Sequence, residues 1–131
     1  MKFTFAAEDT IIGICCGLLL IGLTGRFFSI KLSNTLYVIA FVIYTFFILL
    51  DIVNEIRDLT THFGFIVFSI LHSLADLVIA LAFVSHFSGW NVPYITATFV
   101  PYLKSEVVIF WLGIFLVVGN AIWLILYPFL D

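Results

Sequence analysis

Charge is what this chain has least of. Its 131 residues include five Lys or Arg and eight Asp or Glu, a charged fraction of 10%, against about 25% in an ordinary globular chain. The basic residues, Lys2, Arg26, Lys31, Arg57 and Lys104, are scattered. No patch exists to neutralise phosphates, and nucleic acid is excluded as a partner. Cysteine is nearly as scarce. Cys15 and Cys16 are the two, and they are adjacent. Neighbours on a helix point in different directions, so they make no ordinary disulfide and no CxxC redox pair. A disulfide-stapled secreted domain is excluded with them.

The common catalytic signatures are missing too. There is no GxSxG nucleophile elbow and no phosphate-binding glycine loop. The three His are residues 62, 72 and 86, all in or beside one apolar run, and Met1 is the single Met. A pair of haem ligands from two facing helices is therefore not available within the chain. The sequence implies no particular cofactor and leaves metal ligation open.

What is abundant is apolar surface: 64% of the residues are hydrophobic, 16 of them Phe, and the mean hydropathy is +1.28. A helix needs about 20 mainly apolar residues to cross the hydrocarbon core of a bilayer. Four such runs are present, at about 10–30, 33–53, 63–87 and 107–130. They are continuous rather than alternating, which excludes membrane barrel strands, and backbone groups in lipid must be satisfied within the segment, which requires helices. The fold expected is an all-α integral membrane protein. Four transmembrane helices form an antiparallel bundle in a single domain, 1–131, with no soluble domain. The leader before the first run carries Glu8 and Asp9 beside Lys2, unlike a cleavable signal peptide.

An even number of spans puts both termini on one side. Lys2 and Arg57 share that side, while Arg26, Lys31 and Lys104 share the other. The positive-inside rule then tilts the termini toward the outer or lumenal face. Ser33 or Asn34 is placed to cap the second helix. The connection from Ser88 to Ser105 is the one long one. It contains Pro93, Pro101, Trp90, Tyr94 and Tyr102, the composition of a segment lying in the interface. Gly13 and Gly17 in the first helix have GxxxG spacing, a signal for close helix packing. Gly113 and Gly119 in the fourth are candidates for the same role.

Polar residues inside the runs carry the candidate chemistry. Asp76 lies near the centre of the third run. His72 is four residues earlier on the same helical face, and Ser69, Ser73 and Ala80 extend the stripe. Ionisable residues at membrane depth are expensive and face the bundle interior. Asn120, near the middle of the fourth run, is a plausible partner. Either this is a self-satisfied polar pair or it relays protons or cations. A second cluster, Asp51, Glu55, Asp58 and His62, follows steps of four, three and four. At the membrane surface it reads as a solvated helix end, a partner contact or a cation site. His62 and His72 are about 15 Å apart along a helix, too far to share one ion.

Two functions follow as expectations. The first is a non-catalytic multi-pass subunit of a larger membrane complex, such as an oxidase, a monooxygenase or another energy-converting assembly. It would contact lipids and other transmembrane subunits, and would not be an enzyme on its own. The alternative is a small homo-oligomeric proton or cation channel or carrier that uses His72 and Asp76.

Overall fold

The computed structural model describes the backbone of residues 2–57 and 63–130, and the side chains of 9–56, 67 and 69–125. The order is α1 (Lys2–Thr24), α2 (Asn34–Arg57), α3 (Phe63–Ser88), a short α4 (Ile95–Phe99), a 3-10 turn (Val100–Lys104) and α5 (Glu106–Leu130). No strand occurs among the described residues. Three helices are long and apolar enough to cross a membrane, through Asn34–Ile56, Ser69–Ser88 and Glu106–Ile125. Among the described residues of α1, the apolar stretch is Asp9–Thr24.

The end of α1 at Thr24 corrects the first run, which is expected to continue to about residue 30. Gly25, at φ 71°, adopts a left-handed backbone that favours glycine and ends the helix there. The chain then folds back, and Ile30 N–H donates to the Gly22 carbonyl at 3.1 Å. The second run differs in the opposite sense. Ser33 Oγ accepts from Leu36 N–H at 3.4 Å at the start of α2. The helix passes residue 53 and continues to Arg57, one turn further than expected. The long connection is folded rather than loose. Ser85 Oγ donates to the Trp90 carbonyl at 2.6 Å and pairs with Thr96 Oγ1 at 2.7 Å. Thr96 Oγ1 also accepts from Val92 N–H.

The helices pack in the sequence α5, α1, α2, α3, and each neighbouring pair runs antiparallel. Gly17 of α1 meets Gly113 of α5 backbone to backbone. A Cβ on Gly17 would lie 2.7 Å from the Gly113 carbonyl oxygen, and a Cβ on Gly113 would lie 2.9 Å from that of Gly17. Only two glycines permit this crossing. Between α1 and α2, the Cys16 thiol approaches the Ala40 carbonyl at 3.8 Å. Outward faces are apolar as well, as at Leu36, Ile39, Val42, Phe46 and Leu49 of α2.

The interior has two halves. Toward the α1–α2 connection it is aromatic. Tyr37 stacks on Phe87 with ring centroids 4.6 Å apart, and Phe41 on Phe83 at 5.2 Å. Leu20, Phe41 and Phe83 are fully buried there. Toward the α2–α3 connection the interior is acidic.

Candidate functional site: a buried file of carboxyl groups

On α2, residues 44, 48, 51 and 55 fall on one helical face, and on α3 residues 69, 73, 76 and 80 do the same. The two faces meet because α2 and α3 are antiparallel neighbours. Tyr44, Asp51 and Glu55 are thereby set against Ser69, Ser73 and Asp76. Asp9 joins them from α1 and Asn120 from α5. The acids are interior: Asp9 is 6% exposed, Asp51 2%, Glu55 6% and Asp76 2%.

These groups form a file that begins near the α2–α3 connection. Ser69 Oγ donates to Glu55 Oε1. Glu55 lies one turn from Asp51 on the same face of α2, and Ser73 Oγ donates to Asp51 Oδ2 at 3.4 Å. Deeper in the interior, the Tyr44 hydroxyl lies beside the buried Asp76 and accepts from Asn120 Nδ2 at 3.4 Å. Asn120 Nδ2 also donates to the Leu116 carbonyl at 2.7 Å. Asp9 lies within electrostatic range of Asp51, Asp76 and Glu55. Gly13 makes the junction possible, because a Cβ there would sit 2.5 Å from Asn120 Nδ2 and 2.8 Å from the Tyr44 hydroxyl. Asp9 Oδ1, Asp76 Oδ1 and Asn120 Oδ1 find no hydrogen-bond partner among the described residues.

His72 stands at the edge of the file. Its Nδ1 is 3.5 Å from Asp76 Oδ2 and 2.8 Å from the indole Nε1 of Trp123 on α5. Its side chain is 18% exposed, on the seam between α3 and α5. The backbone of α5 approaches closely at Gly119, where a Cβ would lie 3.4 Å from His72 Nε2.

The geometry sorts the expected site residues. His72 and Asp76 are neighbours, as their spacing predicts. Asn120 bonds Tyr44 and the Leu116 carbonyl, and its amide bonds neither His72 nor Asp76. Asp51 and Glu55 were expected on the surface, and this is corrected by their burial. The extra turn of α2 carries them against Ser69 and Ser73 of the returning helix. Asp58 and His62, of the same expected cluster, lie outside the described residues. Gly13 and Gly17 both face α5, Gly13 toward Asn120 and Gly17 toward Gly113. Sequence reasoning passed over Asp9, Tyr44 and Trp123. Asp9 was counted with the leader, although it abuts the apolar run. Tyr44 lies two turns before Asp51 on one face, and Trp123 three residues past Asn120.

Chemically, the file is a row of groups that accept and donate protons. Among the described residues no three His, Cys, Asp or Glu converge to hold a metal ion. The carboxyl groups are strung along the helices rather than focused on a point. Comparison of the chain with protein-family models, with curated proteins and with solved structures gave no match in any of the three.

Proposed function

We propose that the chain is a proton-handling subunit of a membrane assembly, with its four helices spanning the bilayer and the carboxyl file as its working part. The observation that carries this reading is the burial of Asp9, Asp51, Glu55 and Asp76 in one connected interior. Desolvating an ionisable group costs several kcal/mol before compensation, and an acid at membrane depth marks a pathway more often than a packing device. A structural contact needs one satisfied pair. Four buried acids exceed that need, two of them bonded to the hydroxyls of Ser69 and Ser73, and together with Tyr44 they place proton donors and acceptors along one interior face.

The need for an assembly comes from where the file stops. Beyond Asp76 the interior is closed by Leu20, Phe41 and Phe83, which offer a proton no partner. The file's outlet is sideways, at His72 on the α3–α5 seam. A second copy or another transmembrane subunit seated there would continue the path. This joins the two expectations drawn from the sequence, a complex subunit and a proton pathway.

The test is proton movement in vesicles that contain the assembly the chain purifies with, read by an internal pH-sensitive dye under an imposed potential. The wild type is expected to dissipate the potential by proton entry. Asp76→Asn and Asp51→Asn are expected to stop this while the assembly stays intact. Equal rates in all three proteins would overturn the proposal.

A further inference from the structure

Trp123 has no place in the carboxyl file, yet its N–H is aimed at the imidazole that ends it. An indole N–H only donates. His72 Nδ1, 2.8 Å away, therefore accepts, and the proton of the neutral ring is on Nε2. Asp76 Oδ2 approaches the same Nδ1 at 3.5 Å. One lone pair cannot accept two protons, so Trp123 and Asp76 compete for a single nitrogen.

We propose that Trp123 is a latch on the proton path, a positioning residue that keeps His72 in the Nε2–H form and must let go before Asp76 can deliver a proton. This rests on the proton-handling reading and names the control of that same site. In the step, the proton on Asp76 Oδ2 moves to His72 Nδ1. The O–H bond breaks, an N–H bond forms, and the bonding electron pair stays on the carboxylate. The Trp123 hydrogen bond is lost in the same event, and an imidazolium–carboxylate pair replaces it. Nε2 then gives up its own proton to water or to a partner's acceptor at the open edge of the ring, whose side chain is 18% exposed. The imidazole thus takes a proton at one nitrogen and releases another from the opposite one. The ring is then neutral with its proton on Nδ1, and Trp123 rebinds once Nε2 has taken up a proton and the Nδ1 proton has returned to the Asp76 carboxylate.

Two packing features suit this role. The Trp123 ring lies edge-on to His72, with centroids 5.4 Å apart and an interplanar angle of 76°. Phe115, at 6.4 Å, flanks the imidazole from the same helix. The ring is thus held by α5, while its proton donor sits one turn along α3.

The experiment is nitrogen-15 NMR of the protein with labelled histidine and tryptophan, with His72 assigned by its loss in His72→Ala. The wild type is expected to show a protonated Nε2, an unprotonated Nδ1, and a scalar coupling from the Trp123 indole N–H to Nδ1. Trp123→Phe keeps a ring and removes the donor. It is expected to give a mixture of the two neutral tautomers, and to raise proton flux in the vesicle assay roughly threefold to tenfold, the effect of removing one ordinary hydrogen bond. A wild-type His72 protonated on Nδ1, or no coupling to Trp123, overturns the latch. So does an unchanged tautomer in Trp123→Phe. The coupling is read on the unaltered protein, so a poorly folded variant does not remove the test. If wild-type vesicles carry no protons but the coupling and the tautomer shift are both present, the proton-handling reading has failed and the hydrogen bond alone survives.

Discussion

Tyr37 and Tyr44 are both buried tyrosines on the inner face of α2, two turns apart, and they do different work. The Tyr37 hydroxyl donates to the Ile30 carbonyl at 3.2 Å and accepts from Leu32 N–H at 3.4 Å. It closes the chain between α1 and α2, and its ring stacks on Phe87. The Tyr44 hydroxyl touches no backbone in this way. It accepts from Asn120 beside the buried Asp76, and so meets α5 through side chains alone, next to a carboxyl group of α3. One helix face thus carries a packed aromatic end and a titratable end. Hydropathy averaged along the helix does not separate them. What separates them is whether a polar atom meets the backbone, which is fixed, or another polar side chain, which can exchange a proton.

Substitutions that sharpen this contrast fall in order of their expected effect on stability. The largest belongs to the glycine crossing that holds both halves together. Gly17→Leu places a side chain where a Cβ alone would lie 2.7 Å from the Gly113 carbonyl oxygen, and overpacking of this kind costs about 3 kcal/mol or more. Thermal unfolding in detergent is expected to show a lower midpoint or no folded protein. A wild-type midpoint would mean that α1 and α5 do not cross there.

Next comes the aromatic half. Phe83→Ala empties the centre of the stack and is expected to cost about 3 kcal/mol, at the low end for such a truncation, because on the membrane reading transfer into lipid adds less driving force than transfer out of water. Proton movement per folded molecule should not fall. A selective loss of flux would place Phe83 on the path and break the comparison.

The tyrosines are the direct pair. Tyr37→Phe should cost about 1 kcal/mol, the net worth of a typical hydrogen bond, and leave flux alone. Tyr44→Phe should cost a similar amount and slow the flux. Equal flux in the two variants would erase the distinction between the ends.

The smallest stability effect is expected for Asp76→Asn, within about 1 kcal/mol, since the amide retains hydrogen-bonding capacity. The same change should abolish proton movement. A silent Asp76→Asn, with Asp76→Leu impairing assembly, would make Asp76 a buried anchor and nothing more.

Parts of this arrangement were legible from the sequence. His72 and Asp76 share a face by their spacing, and Asn120 sits at matching depth in a facing helix. Continuous apolar runs with few charges are enough to read helices. Asp51 and Glu55 were misplaced because the second apolar run is followed by charges, which normally marks water. Whether a carboxyl group is buried depends on what the next helix brings opposite it. Here that is Ser69 and Ser73, and periodicity within α2 contains no information about them. Trp123 was hidden for a related reason. Its bulk reads as apolar, and its one polar hydrogen acquires meaning only when α3 supplies a nitrogen. Gly25 was also missed, because a run of apolar letters continues past it while the backbone turns away.

The pairing of α1 with α5 has a consequence for biogenesis. On the membrane reading, α1 carries Asp9, which is buried only in the finished bundle. The surface that shelters it belongs mainly to α5, through Gly17 and Gly113, and α5 is translated after all the other helices. The α2–α3 hairpin can pair as soon as it emerges from the ribosome, whereas α1 must wait for the rest of the chain. During that wait Asp9 has no finished bundle around it.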